Sequence, residues 1–64
     1  MTLYKIAAYN KDMTELVSQY NKEFDRTEDA LIEAYNKADS EDIVILMRQS
    51  IMDKKCWKII AKFY

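Results

Sequence analysis

The apolar positions of this chain change period along its length. Over residues 27–38 they fall at Ala30, Leu31, Ala34, Tyr35 and Ala38, the spacing of one helix face. Thr27 stands where a cap is wanted, Glu28 and Asp29 fill the first turn, and Lys37 lies near the end, so each charge suits the helix dipole. This pattern predicts a helix. Over residues 56–64 the period is two: Trp57, Ile59, Ala61 and Phe63 share one strand face, while Lys58 and Lys62 take the other. Residues 43–51 open with the β-branched-rich run Ile43 to Met47, in which a helix would leave Ile45 on its wet side, so a strand wastes less apolar surface. Met52-Asp53-Lys54-Lys55 supplies a polar reversal between these two runs, which predicts a C-terminal hairpin. Residues 2–9, with Tyr4, Ile6 and Ala8 alternating, predict one more strand.

Residues 12–24 carry two patterns at once. On a helix, Met13, Leu16, Val17, Tyr20 and Phe24 fall within an arc of about 100°, and Asp12 with Glu15 makes a capping box. A strand would place Leu16, Tyr20 and Phe24 on one face just before a capped helix. The helical pattern is the fuller one and is preferred. The expected fold class is therefore α+β in a single domain, 1–64. A small antiparallel sheet comes from strands near 2–9, 43–51 and 56–64, with helices 27–38 and 12–24 packed on one face. An all-α bundle is the alternative, because the acid-first, base-last layout of residues 40–55 also suits a helix.

The chain has no glycine and no proline, so its turns must be made with Asn, Asp and Ser. Tyr-Asn-Lys occurs three times, at residues 9–11, 20–22 and 35–37, and in each the Asn is suited to a left-handed position. The unequal spacing of the triplets argues against a repeat architecture.

At 64 residues the chain hides only about 60% of the surface its unfolded form exposes, so the core must be thin. With one cysteine it has no internal disulfide, and association, as a homodimer or with another protein, is an expected source of stability. A lone thiol suits a reducing compartment, and residues 1–10 show no basic stretch followed by a long apolar one, so a cytoplasmic location is expected. The longest apolar run, Ile43 to Met47, falls far short of the roughly 20 residues of a membrane span. No membrane partner is expected. The formal charge of −1 conceals strong segregation: residues 12–42 carry ten acids against Lys22, Arg26 and Lys37, a net −7, whereas residues 43–64 carry a net +4. Such asymmetry bears on association rather than on fold.

Candidate chemistry is sparse. Without histidine there is no Ser-His-Asp or Cys-His catalysis, and without glycine there is no phosphate-cradling loop of the GxxxxGK or GxGxxG kind. One cysteine makes neither a CxxC pair nor a thiolate-imidazole zinc site. Cys56, among Lys54, Lys55 and Lys58, has the surroundings of an activated thiolate, but an ordinary small residue at a strand start explains it more simply. The carboxylate pairs Glu28-Asp29, Asp39-Glu41 and Glu41-Asp42 lack the regular oxygen spacing and central glycine of an EF-hand. No enzyme activity, metal or cofactor is expected.

Two binding surfaces remain. The acids Asp25, Glu28, Asp29, Glu33, Glu41 and Asp42 suit a basic groove on another protein. Lys54, Lys55, Lys58 and Lys62, interleaved with Trp57, Phe63 and Tyr64, supply the cations and aromatic faces of single-strand nucleic-acid binding. The shared strand face of Trp57 and Phe63 would hide those rings in the core, which makes nucleic acid the second choice. Leu31-Ile32-Glu33-Ala34-Tyr35-Asn36-Lys37 resembles the opening helix of small sigma factors and of short helical-hairpin kinase inhibitors from sporulating bacteria, over seven residues of common helix formers, and no functional residue carries over. The expected function is a small non-enzymatic protein-binding module that modulates or inhibits a larger partner, of the kind phages and mobile elements direct at host enzymes.

Overall fold

Four strands and one helix follow one another as β1 (Thr2–Tyr9), β2 (Leu16–Phe24), α1 (Thr27–Ala38), β3 (Ile43–Gln49) and β4 (Trp57–Phe63), in a computed structural model that describes residues 1–64. The strands form one sheet in the order β2-β1-β3-β4, antiparallel throughout. Because β2 and β3 both run against β1, they run parallel to each other on its two sides. A tight hairpin cannot join strands so placed, and α1 provides the crossover.

The crossover fixes where the core lies. Tyr4, Ile6 and Ala8 of β1 and Val44 and Leu46 of β3 point to one face of the sheet, where they meet Ala30 and Ala34 of α1. Alanine at both helix positions lets the backbone lie close to the sheet. Phe24, Leu31, Ala38, Ile60, Ala61 and Phe63 pack around this cluster. Only ten residues are buried and none is polar, which is the thin core that the chain length implies. Two edge-to-face aromatic pairs close its ends, Tyr4 on Phe24 and Tyr35 on Phe63. No helix is long and apolar enough to cross a membrane.

The α+β class stands and the all-α bundle does not. Helix 27–38 and strand 2–9 lie where their periods place them, whereas strands expected over 43–51 and 56–64 are shorter, Ile43–Gln49 and Trp57–Phe63, with Ser50 and Ile51 given to the loop between them. Residues 12–24 do not form a helix. Asn10 to Glu15 make a loop, and Leu16–Phe24 is an edge strand paired to β1 from Thr2↔Phe24 to Tyr9↔Leu16. The Asp12-Glu15 capping box is thereby void. The loop is organised by Asn10, whose Oδ1 accepts hydrogen bonds from the Thr14 and Glu15 amides at 2.9 and 3.2 Å and whose Nδ2 donates to Thr14 Oγ1. The left-handed residue is Met13, with φ 57°, rather than any of the three Asn, since Asn21 sits within β2 and Asn36 within α1. Thr27 does not cap α1 either. The cap position belongs to Arg26, with no side-chain bond, while the Thr27 hydroxyl shares a 2.7 Å hydrogen bond with the Tyr4 hydroxyl and ties the helix start to β1.

Strand β4 departs from simple alternation. Leu46 pairs with Ala61 but Met47 pairs with Ile59, so Ile60 is an extra residue that shifts the register. Ala61 and Phe63 therefore face the helix opposite Leu46 and Val44, whereas Trp57 and Ile59 oppose Gln49 and Met47 and face away from it. The expectation that Trp57, Ile59, Ala61 and Phe63 share one face fails at this bulge. Lys58, opposite Arg48, and Lys62, opposite Ile45, are likewise thrown to different faces.

Candidate interaction face

With α1 committed to one side, the other side of the sheet has no helix or strand of this chain over it. Alternation and register place Leu3, Lys5, Ala7 and Tyr9 of β1 on that open face, with Ile43, Ile45, Met47 and Gln49 of β3 beside them. The flanks are Leu16, Val17, Gln19, Asn21 and Glu23 of β2 and Trp57, Ile59 and Lys62 of β4. A second bulge, at Val17, sets both Leu16 and Val17 beside Tyr9 on this face.

The open face is apolar along most of its middle and on the β4 flank, and on the β2 flank only at Leu16 and Val17, the remainder there being Gln19, Asn21 and Glu23. Ala7, Ile43 and Ile45 are buried even here, shielded by neighbouring side chains rather than by a second layer. Leu3, Tyr9, Met47 and Trp57 are half-buried. Leu16, Val17 and Ile59 are 43%, 54% and 52% exposed. Its charges are Lys5, Lys62 and Glu23, and the Lys5 ammonium sits 4.3 Å from the centre of the Trp57 ring, a cation-π contact. Four strands spaced about 4.8 Å apart, each about eight residues long at about 3.3 Å per residue, give a face of roughly 500 Å². Its exposed apolar part is smaller, because Lys5, Gln19, Asn21, Glu23, Gln49 and Lys62 share the face and Ala7, Ile43 and Ile45 are buried, but the face as a whole is a useful share of a small protein interface.

The six acids singled out in the sequence do not share one face. Asp25, Glu28 and Asp29 are exposed around the start of α1, where the Glu28 carboxylate pairs with the Arg26 guanidinium. Glu41 and Asp42 lie in the turn after the helix, beyond its twelve residues and so about 18 Å away along the axis. Glu33 is occupied within the fold. It accepts a 2.8 Å hydrogen bond from the Lys22 ammonium and a 2.6 Å bond from the Tyr20 hydroxyl, pinning α1 to β2. The Lys22 bond, then the Tyr20 bond, hold the Glu33 carboxyl below the usual range against the opposing effect of its burial. Burial first, and the Glu33 carboxylate second, push the Tyr20 phenol up to about 12.

The four lysines separate as well. Lys54 and Lys55 belong to the β3–β4 loop, and Lys58 and Lys62 are exposed on opposite faces of β4. The residues that sequence reasoning missed are those of the open face, above all Ile59 and Val17, while strand alternation puts Trp57, singled out beside the lysines, on the core face instead of this one. The two bulges that place them carry no signature readable from residue types.

A shallow cleft of about 360 Å³ opens where the end of α1 meets β4, with Tyr35, Asp39, Asp42, Lys62 and Tyr64 in its wall. Tyr64 follows the last strand and is almost wholly exposed, so this cleft is a surface recess rather than a cavity able to exclude water. No three carboxylate or thiol side chains converge anywhere to make a metal site. Cys56 is exposed, and its thiol donates a long 3.4 Å hydrogen bond to the Asp53 carboxylate. Compared with known proteins, the chain matches no family model, no curated protein and no solved structure, so the functional reading rests on the geometry alone.

Proposed function

We propose that this chain is a non-enzymatic binding module that modulates a larger protein by laying its open sheet face against an apolar strip of that partner. The observation that carries this reading is the continuity of apolar side chains across all four strands on a face that no helix or strand of the chain covers. Dispersed exposed apolar residues are normal on a protein surface; a band of them running together across one uncovered sheet face is a recognition feature. The partner is apolar where it meets the centre of the sheet and hydrogen-bonding where it meets Gln19, Asn21 and Gln49. The acids Asp25, Glu28, Asp29, Glu41 and Asp42 lie at the two ends of the helix, away from the open face, so they act on a basic partner by long-range attraction that raises the association rate rather than by contact. Glu33 is spent on the helix–sheet tie and contributes least. Modulation fits the size of the chain: the site buries a partner's surface and brings no reactive group to it.

A nucleic-acid reading retains one specific observation. The β4 bulge turns Trp57 onto the open face, next to Lys5, so that ring is half-exposed rather than lost in the core.

The test uses the intact chain and a Val17→Lys/Ile59→Lys variant as parallel baits in nuclease-treated bacterial lysate, with the captured protein then purified and its affinity measured. Both substitutions lie on edge strands, where lysine is well tolerated, so folding is retained. A protein bound by the intact chain and released by the variant supports the reading. A protein bound equally by both refutes the face, and binding that disappears with nuclease favours nucleic acid, with the steep salt dependence of phosphate contacts.

A further inference from the structure

The β3–β4 loop, Ser50 to Cys56, presents Ile51 and Met52 with 90% and 95% of their surface in water. They are the two most exposed internal apolar residues of the chain, and they are adjacent. The loop is not slack around them. The Ser50 hydroxyl oxygen accepts from the Met52 and Asp53 amides, Asp53 Oδ1 accepts from the Lys55 amide, and the Ser50 amide donates to the Cys56 carbonyl at 2.9 Å. Gln49 Nε2 closes the base by donating to the Lys54 carbonyl. None of these bonds uses the side chain of Ile51 or Met52. The turn thus holds two apolar side chains outward at a tip, in a protein whose core is short of apolar material.

Cations stand immediately behind the tip. Lys54 and Lys55 follow in the loop, and Arg48 and Lys58 are paired across the strands that carry it. Against these four, the loop holds one acid, Asp53, whose carboxylate is engaged by the Lys55 amide and the Cys56 thiol. Trp57, the chain's one tryptophan, comes next, half-buried, with Lys5 on its ring. From the tip inward the register gives Ile51 and Met52, then Lys54 and Lys55, then Trp57 opposite Gln49, then Lys58 opposite Arg48. An anionic bilayer offers acyl chains to the apolar pair and negative headgroups to the cations, and its interfacial belt, at headgroup level, accommodates a tryptophan that lies among those cations.

We propose that the Ser50–Cys56 loop is a peripheral membrane anchor that inserts Ile51 and Met52 into the surface of an anionic bilayer while Lys54, Lys55, Arg48 and Lys58 contact its headgroups. This site is separate from the open sheet face and does not depend on the protein-binding reading. A nucleic-acid backbone would satisfy the lysines but gives two aliphatic side chains at a protruding tip nothing to bury in. The acids Asp25, Glu28 and Asp29 lie at the same end of the sheet on the far, β2 side, so the molecule docks tilted, with β4 toward the bilayer and β2 away from it.

Vesicle co-sedimentation of the full chain tests the proposal. The probes are phosphatidylcholine vesicles with and without roughly a third of phosphatidylserine, at low and physiological salt. Binding is expected to the anionic vesicles and to be weak on the neutral ones. Ile51→Ser/Met52→Ser should weaken it at least about tenfold, and Lys54→Gln/Lys55→Gln by about fivefold per lysine. The loop's hydrogen bonds come from Gln49, Ser50, Asp53 and the backbone, so both variants keep the turn, and circular dichroism checks that the sheet is intact. Absence of binding to anionic vesicles overturns the proposal. So does binding that falls with the lysine changes but ignores the loss of Ile51 and Met52, because that is charge adsorption without an anchor.

Discussion

Truncating one apolar side chain on each side of the sheet separates the covered face from the open one. Leu46 is fully buried within the cluster that joins β1, β3 and α1. Leu46→Ala removes its transfer free energy and leaves a cavity, at a cost of about 2–5 kcal/mol. Ile59, on the open face, is 52% exposed. Ile59→Ala forfeits roughly half the burial of one aliphatic side chain and leaves no enclosed void, for about 1 kcal/mol. A chain of this length has a total stability of about 3–10 kcal/mol, so the first change approaches the limit of folding and the second does not. With a urea slope of about 1 kcal/mol per M, the unfolding midpoint should fall by about 2 M or more for Leu46→Ala and by about 1 M for Ile59→Ala. Equilibrium urea unfolding followed by far-UV circular dichroism reads both. Equal costs would refute the reasoning, since Ile59 would then be covered in the isolated protein. A midpoint rising with protein concentration would identify a second copy as the cover.

Three further outcomes follow from named contacts. The Glu33 carboxyl titrates lower in the folded chain than in the unfolded one, so its contribution is present above about pH 4.3 and is lost as pH falls through the folded value; Glu33→Gln should flatten the acid limb of the stability profile, by about 0.5 kcal/mol for a partly exposed pair. The Tyr20 phenol is raised to about 12, so its contribution is present below about pH 10 and lost as pH rises through 12; its ionisation, followed by ultraviolet titration against a Tyr20→Phe reference, should come earlier in Glu33→Gln. Met13 holds φ 57° without being glycine, and Met13→Gly should raise stability by about 0.5 kcal/mol in thermal unfolding, the relief of left-handed strain outweighing the added chain freedom.

The elements that were legible in the sequence are those whose period is enforced by burial. Strand β1 alternates because Tyr4, Ile6 and Ala8 must face α1, and β3 is a continuous apolar run because Ile43 and Ile45 are buried on one side while Val44 and Leu46 are buried on the other. The helix is legible because Ala30 and Ala34 sit a turn apart against the sheet. Strand β2 is masked because it lies at an edge: seven of its nine residues are exposed, so burial imposes no period, and a chance helical arc of Met13, Leu16, Val17, Tyr20 and Phe24 prevails. What holds β2 in place is its backbone ladder to β1 and the Asn10-centred loop, neither of which periodicity records. The candidate surfaces were legible only as charge. Segregation along the chain put six acids in one stretch, yet a helix runs through that stretch and parts them, and the bulge at Ile60 sends Trp57 and Phe63 to opposite faces. A one-residue shift of register is invisible in residue types and decides which side chains a partner meets.

The seven isoleucines are spread so that one spectrum reads every surface: Ile43, Ile45 and Ile59 on the open face, Ile32 exposed on the helix, Ile51 at the loop tip, Ile60 at the β4 bulge against the core and Ile6 within it. Titrating isoleucine-methyl-labelled chain with the purified captured partner, and following these seven residues by NMR, tests the central claim most directly. The open-face reading predicts that Ile45 and Ile59 shift most, with Ile43 following and Ile32 unmoved. Shifts concentrated at Ile32, with Ile45 and Ile59 unchanged, would contradict it and move the partner to the helix.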